Sequence, residues 1–320
     1  MRLAVAQFRR LPPNVQGALW LVSGGFIFTL NGVMIRLLSE QVESVQTAFF
    51  RAFFSVLMLA PLMASGKVKP WHSTRLGGHF WRTVMGTTSM VLGFYALSLL
   101  PLADATALGF SQPLFSVCVA ALIVGEKVRW RRWSATIVGF AGVLVMVRPG
   151  AESLQPGALI ALANAATVAL SILLVKRLAD SETPLMILTQ FAIWSTLLLA
   201  LPAIWVWRWP DAWGWTLAVG VSASATVGQY FWVQAFKAGE MSAVAPFEYL
   251  RLPFAVFMGW LVFGQMPEIW TYVGAVIVIG SALYIAQREA QLARERRRAA
   301  LNAAPPPATP PSTPSATPAP

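Results

Sequence analysis

The chain has 320 residues, of which 57% are hydrophobic and only 12% charged, with a net charge of +11 and a mean hydropathy of +0.61. Soluble domains carry about 25% charged residues, so an ordinary water-soluble enzyme is excluded and most of the chain must be buried in lipid. The basic excess does not point to nucleic acid, because the Lys and Arg residues sit in short loops and tails between apolar runs rather than on one face of a soluble fold.

A short segment, residues 1–15, carries Arg2, Arg9 and Arg10. The apolar run that follows is long and lacks a small-residue cleavage site, so it stays in place as a first span. Runs of about 17 to 25 apolar residues cross the hydrocarbon core as helices. They are continuous rather than alternating, which excludes a barrel. Ten are predicted, near Gln16–Leu38, Val45–Ser65, His79–Leu99, Leu102–Val124, Trp133–Val147, Pro156–Val175, Pro184–Val206, Trp213–Phe236, Met241–Phe263 and Trp270–Ala286.

With the N-terminus cytoplasmic, nineteen of the 24 cations fall on the inside, among them Arg75, Arg82, Lys127 and Lys176. Arg36, Arg148 and Arg208 fall outside, and Arg51 and Arg251 lie within spans. This positive-inside bias predicts two cytoplasmic termini in a bacterial inner membrane. Trp81, Trp130, Trp205, Trp209 and Trp213 sit at span ends, as interfacial aromatics do. Residues 288–320 form a tail, with a basic stretch Arg288–Arg298 suited to anionic headgroups and a Pro/Ala/Thr/Ser stretch from Ala303 that cannot bury a core. Cys118 is the only cysteine, so no internal disulfide forms, and it reads as a small buried hydrophobe.

The chain also repeats itself. Gly17-Ala18-Leu19 returns as Gly157-Ala158-Leu159, Ala60-Pro61 as Leu201-Pro202, and Gly125-Glu126 as Gly264-Gln265, at offsets between 139 and 141. Each copy, residues 16–150 and 151–287, holds five predicted spans. An odd number inverts the second copy, a recurrent plan of secondary transporters that hold solute near the midplane between halves.

The motifs Phe94-Tyr95-Ala96-Leu97, Gln112-Pro113-Leu114-Phe115 and Gly125-Glu126-Lys127, with Arg51, Gly139 and Gly142, resemble the EamA-type half-domain. Ser242 to Pro246, Tyr249, Pro253 and Gly264-Gln265 answer them in the second half, with Gln265 departing from Glu126. The chain is thus similar to ten-helix members of the drug/metabolite transporter superfamily, including bacterial amino-acid exporters of the YddG group. The resemblance implies an all-α membrane protein with two inverted five-helix repeats. Helices 1–4 and 6–9 would enclose a central cavity, with helices 5 and 10 peripheral. It also implies transport of small metabolites, most readily export of an amino acid. Uptake of a nucleotide-like metabolite such as S-adenosylmethionine is the rival, and a non-transporting scaffold or sensor is the rival of another class.

Ionisable residues inside spans cost about 2.5–3.5 kcal/mol each on insertion scales, so they mark function or a fixed pair. Arg51, Glu248 and Arg251 are the candidates. The i, i+3 spacing of the last two suits an ion pair on one helix face, or the charged ends of a zwitterion, or a proton relay. Pro113 and Pro253 hold matching places in the fourth and ninth spans and predict kinks there. Asn31, Tyr95, Ser111, Gln112, Asn164, Gln229, Tyr230 and Tyr249 are polar or aromatic candidates for a binding or gating site, although interhelical hydrogen bonding explains such residues as well. Phe26, Phe110, Phe247 and Trp20 would supply apolar walls. Gly139, Gly142, Gly274 and Gly280 allow close helix approach, within one chain or in a homodimer.

His72 and His79 have no acidic neighbour in sequence, and no His/Cys cluster has metal-ligand spacing. No phosphate loop or hydrolase motif occurs. The expected partners are therefore a small-molecule substrate and lipid, with no catalytic residue, cofactor, metal or nucleic acid. Proton coupling and facilitated diffusion are both open.

Overall fold

A computed structural model describes residues 11–66, 73, 75–125, 130–147, 156–179, 181–239 and 244–303, and these are helical apart from short connections. The helices are α1 (Pro13–Leu38), α2 (Ser44–Ala64), α3 (Leu76–Leu99), α4 (Leu102–Gly109), α5 (Gln112–Leu122) and α6 (Trp130–Val147). The second half supplies α7 (Pro156–Ala179), α8 (Pro184–Trp205), α9 (Ala212–Ala238), a 3-10 segment (Ala245–Leu250), α10 (Arg251–Phe263) and α11 (Ile269–Ala303). Five stretches are each long and apolar enough to cross a bilayer alone: Pro13–Leu38, Ser44–Ala64, Leu102–Leu122, Pro156–Leu178 and Pro184–Trp205. Trp133–Val147 and Ile269–Ile285 are shorter apolar helices. Glu126, Lys127, His72, Ser242 and the tail beyond Ala303 lie outside the described residues.

Two spans depart from the continuous helices expected. The fourth stops at Gly109 and restarts at Gln112, and the ninth runs as a 3-10 turn before restarting at Arg251. In both, the proline lies just after the restart, where its missing N–H costs nothing. Pro113 and Pro253 therefore open new helices rather than kink old ones. Both spans also end alike: Gly125 (φ 73°) and Gly264 (φ 64°) are left-handed caps. A residue with a Cβ is strained there, which explains why glycine recurs at this place in both copies.

The packing survives exchange of the two halves. Helix α1 lies along α9 as α7 lies along α3; α2 meets α9 as α8 meets α3; and α1 meets the ninth span as α7 meets the fourth. The α2–α8 and α6–α11 contacts map onto themselves, whereas the α2–α3 and α1–α3 contacts have no equally extensive twin. The shared pattern is that of an internally duplicated structure. The two repeats share one bundle, with α6 and α11 paired to each other outside its interior.

The small residues explain that pairing. A Cβ on Gly142 would sit 2.9 Å from Ile277 Cβ and 3.0 Å from Gly274 O. Gly142 and Gly274 thus seat α6 on α11 within one chain, and the Ser281 hydroxyl donates to Ala135 O across the same interface. Gly280 has nothing near it.

At one end of the bundle, the α8–α9 connection is held by the first repeat. Gln46 is fully buried; its Nε2 donates to Arg208 O (2.7 Å) and its Oε1 accepts from Arg208 N (3.0 Å). Asp211 N donates to Gln41 Oε1 (3.2 Å). Gln46→Ala leaves the Arg208 N–H unpartnered and is expected to cost about 1–3 kcal/mol, read as a lower unfolding temperature of the detergent-solubilised protein.

Candidate functional site

The interior charges are the starting point, since lipid gives them no solvent. Arg51 on α2 lies over the Phe94 ring of α3 at 6.0 Å. Arg82 on α3 lies over Phe191 of α8 at 3.7 Å, and Arg251 at the start of α10 lies over Phe28 of α1 at 5.6 Å. Each guanidinium thus rests on an aromatic face from another helix, an attraction of about 0.5–2 kcal/mol. No carboxylate lies within 4 Å of any of them among the described residues, where the one such pair is His79 with Glu182.

Arg82 Nε and Nη1 and Arg251 Nε are buried with no hydrogen-bond partner. Arg51 and Glu248 also make no side-chain hydrogen bond among the described residues, and both are half-buried. These four charged groups lie within membrane helices with no ion-pair partner within 4 Å among the described residues.

Glu248 and Arg251 do not close into the ion pair that their spacing allowed. Glu248 lies in the 3-10 segment and Arg251 begins α10, where its guanidinium is taken up by the Phe28 ring of α1 instead. They remain near enough to act on each other electrostatically. Tyr249, between them, packs edge-on against Phe110 at 5.0 Å, and Phe110 occupies the break in the fourth span. The two breaks therefore meet inside the protein, one from each repeat. Interrupted helices of this kind free backbone groups toward a binding space.

The remaining candidates divide. Asn31 Nδ2 donates to Val221 O (2.7 Å) and Ser224 Oγ (2.8 Å), so it ties α1 to α9. Ser111 is fully buried and donates to Leu108 O at 2.7 Å, while Gln112 donates to Ser116 Oγ at 2.8 Å; both are satisfied within their own span. Asn164 is half-buried against Gly93, with no side-chain hydrogen bond among the described residues. Tyr95 is likewise half-buried. Gln229 and Tyr230 are exposed, and Tyr230 packs edge-on against Trp20 at 6.3 Å. Asn31, Ser111 and Gln112 thus act as structural hydrogen-bonding groups, and Gln229 and Tyr230 do not join the arginine set.

Two expectations need correction. Arg82 was counted among the loop cations, but it is part of α3, one turn inside; its position within the predicted span His79–Leu99 was the available signal. His79 does have an acidic neighbour: fully buried, it lies 3.6 Å from Glu182, which also accepts from Ser73 Oγ at 2.7 Å. Sequence spacing could not show this, because the contact crosses between repeats. It is the counterpart, at the other end of the bundle, of the Gln41–Asp211 contact.

Surface grooves lie elsewhere. One of about 420 Å³, lined by Leu252, Val256, Phe257, Trp260 and Tyr272, runs between α10 and α11 and is almost wholly apolar.

A family model for EamA-like transporters matches residues 15–148 and again 155–287. The chain belongs to the EamA-like transporter family. It is a multi-pass membrane transporter rather than an enzyme. It is similar to an S-adenosylmethionine uptake transporter of Rickettsia prowazekii, 29% identical over 280 residues, which cover 87% of this chain and 95% of the relative. It is equally similar to a riboflavin transporter of Vibrio cholerae, 29% identical over 295 residues, covering 88% and 97%. A solved crystal structure, 19% identical, superposes with a TM-score of 0.56 over 86% of this chain and 98% of its own, a likeness of fold.

Proposed function

We propose that the protein carries a metabolite with an amino-acid head and an aromatic base, of the S-adenosylmethionine type, by alternating access. The observation that supports this reading is the interior itself: three guanidiniums on phenyl rings, with Glu248 beside one of them, Arg251. Guanidiniums suit a carboxylate, Glu248 suits one cationic centre, and the rings suit a flat base. A plain amino acid, the preferred cargo on resemblance alone, leaves the aromatic faces unused. The relatives named for S-adenosylmethionine and riboflavin support a cargo with a fused heteroaromatic ring, and uptake takes the place of export as the preferred direction. The repeats 16–150 and 151–287 would rock about the meeting point of the two breaks. Both termini would face the cytoplasm, and reporter tags after Val147 and Phe263 are expected to read as periplasmic.

Counterflow in proteoliposomes tests the cargo. Labelled S-adenosylmethionine is expected to exchange against unlabelled S-adenosylmethionine and only weakly against any protein amino acid. Efficient exchange of leucine or phenylalanine with none of S-adenosylmethionine would overturn the reading. Removal of residues 304–320 is expected to leave this flux within about twofold, since a stretch of only Ala, Pro, Ser and Thr has no large apolar side chain to bury. Loss of flux on truncation would instead favour a recruiting scaffold.

A further inference from the structure

We infer that Arg82, with Phe191 and Gly86, forms the subsite that grips the carboxylate of the cargo. This rests on the reading just given and names the residue that selects within it. Arg82 stacks on Phe191 at 3.7 Å, and its Nε and Nη1 are buried without any hydrogen-bond partner. Its charged neighbours from the helices around it are all cationic or able to become so: Arg51 and His79 both oppose its charge. Glu182, the acid at this end, is engaged by His79 and Ser73.

The energies do not balance without a ligand. Arg82 is desolvated within its helix, and a phenyl face returns only part of that cost. Buried donors left unpaired add to the cost. A carboxylate accepting two N–H bonds from one guanidinium edge removes that deficit, and the planar fork is the geometry that does so.

Gly86 makes the arrangement possible. A Cβ there would stand 2.8 Å from Phe191 Cε2, 3.3 Å from Ser171 Oγ and 3.4 Å from Arg82 Nη1. Three groups thus fill the place of one missing side chain, which seats the guanidinium on the ring and leaves its unpartnered N–H groups as the point the cargo carboxylate would reach.

Two measurements on the full-length protein test this apart from cargo identity. The first is thermal unfolding of the purified protein with indole-3-acetate or its neutral amide, indole-3-acetamide. The wild type is expected to gain stability from the carboxylate and not from the amide. Arg82→Gln should lose that gain, and Arg82→Lys should keep part of it. An equal response to both probes in the wild type, or an undiminished response in Arg82→Gln, overturns the subsite whatever the protein transports.

The second is uptake of S-adenosylmethionine against its decarboxylated analogue. Arg82→Gln is expected to raise KM for the former by about tenfold or more, the loss of roughly 1.4 kcal/mol, with little change for the analogue. If both substrates suffer equally, Arg82 is structural and the inference fails while the proposed cargo stands. If neither is carried, the cargo reading fails and the unfolding measurement alone decides the subsite.

Discussion

Counterflow through Glu248→Gln is expected to fall by about tenfold or more, with the folded yield staying within about twofold of wild type. The carboxylate makes no hydrogen bond among the described residues and no ion pair within 4 Å, so its loss leaves few protein groups unsatisfied. What it contributes is negative charge beside the Arg251 guanidinium. At an effective dielectric constant near 20, a unit charge about 8 Å from a cationic centre on the cargo is worth about 2 kcal/mol. That exceeds the roughly 1.4 kcal/mol that corresponds to tenfold. Equal losses of transport and of folded protein would assign Glu248 a structural task instead. The same variant separates two energetic schemes. If Glu248 carries a proton through the cycle, Glu248→Gln abolishes accumulation driven by a pH gradient but retains some counterflow. If transport is facilitated diffusion, the wild type itself shows no accumulation in that gradient.

The second large effect concerns folding. Gly142→Leu introduces a branched side chain where even a Cβ meets Ile277 Cβ and Cγ2 at 2.9 Å and backbone Gly274 O at 3.0 Å. A backbone carbonyl cannot rotate away, so α6 must separate from α11. Overpacking of this kind costs about 1–3 kcal/mol, and here it breaks the contact that holds the outer helices. The expected result is a sharp loss of monodisperse protein in size-exclusion chromatography, with the remaining fraction unfolding several degrees lower. Leucine at Gly280, where no atom lies within 4 Å, is the control and should be tolerated. Tolerance of Gly142→Leu would show that α6 and α11 are loosely attached.

Much of the architecture could be read from residue order alone, because hydropathy sets span number and the 139–141 offset sets the repeat. The predicted ends of most spans fall close to the helices observed. The interruptions in the fourth and ninth spans were harder to see. Their prolines pointed to irregularity, but hydropathy is blind to whether a proline bends a helix or begins one. The site was partly legible. Arg51, Glu248 and Arg251 stood out as charges in apolar runs. Arg82 did not, since a charge near a span end is indistinguishable from a loop cation until the helix around it is known. Asn31 looked like a candidate ligand because its partner, Val221 O, is far away in sequence and meets it only once the helices are assembled. Ser111 and Gln112 have partners three and four residues away, but the hydrogen bonds depend on where the fourth span breaks.

One consequence follows from contacts that survive exchange of the halves. If the halves rock as proposed, the α1–α9, α2–α9 and α1–ninth-span contacts each have a twin in the other half. Those helix pairs would then favour neither pose strongly. What distinguishes the poses is the unlike trim at the two rims. Gln41 and Gln46 grip backbone at one rim, whereas at the other Glu182 is shared between His79 and Ser73. Under that proposal, net direction would rest on concentration on either side and on those few rim residues.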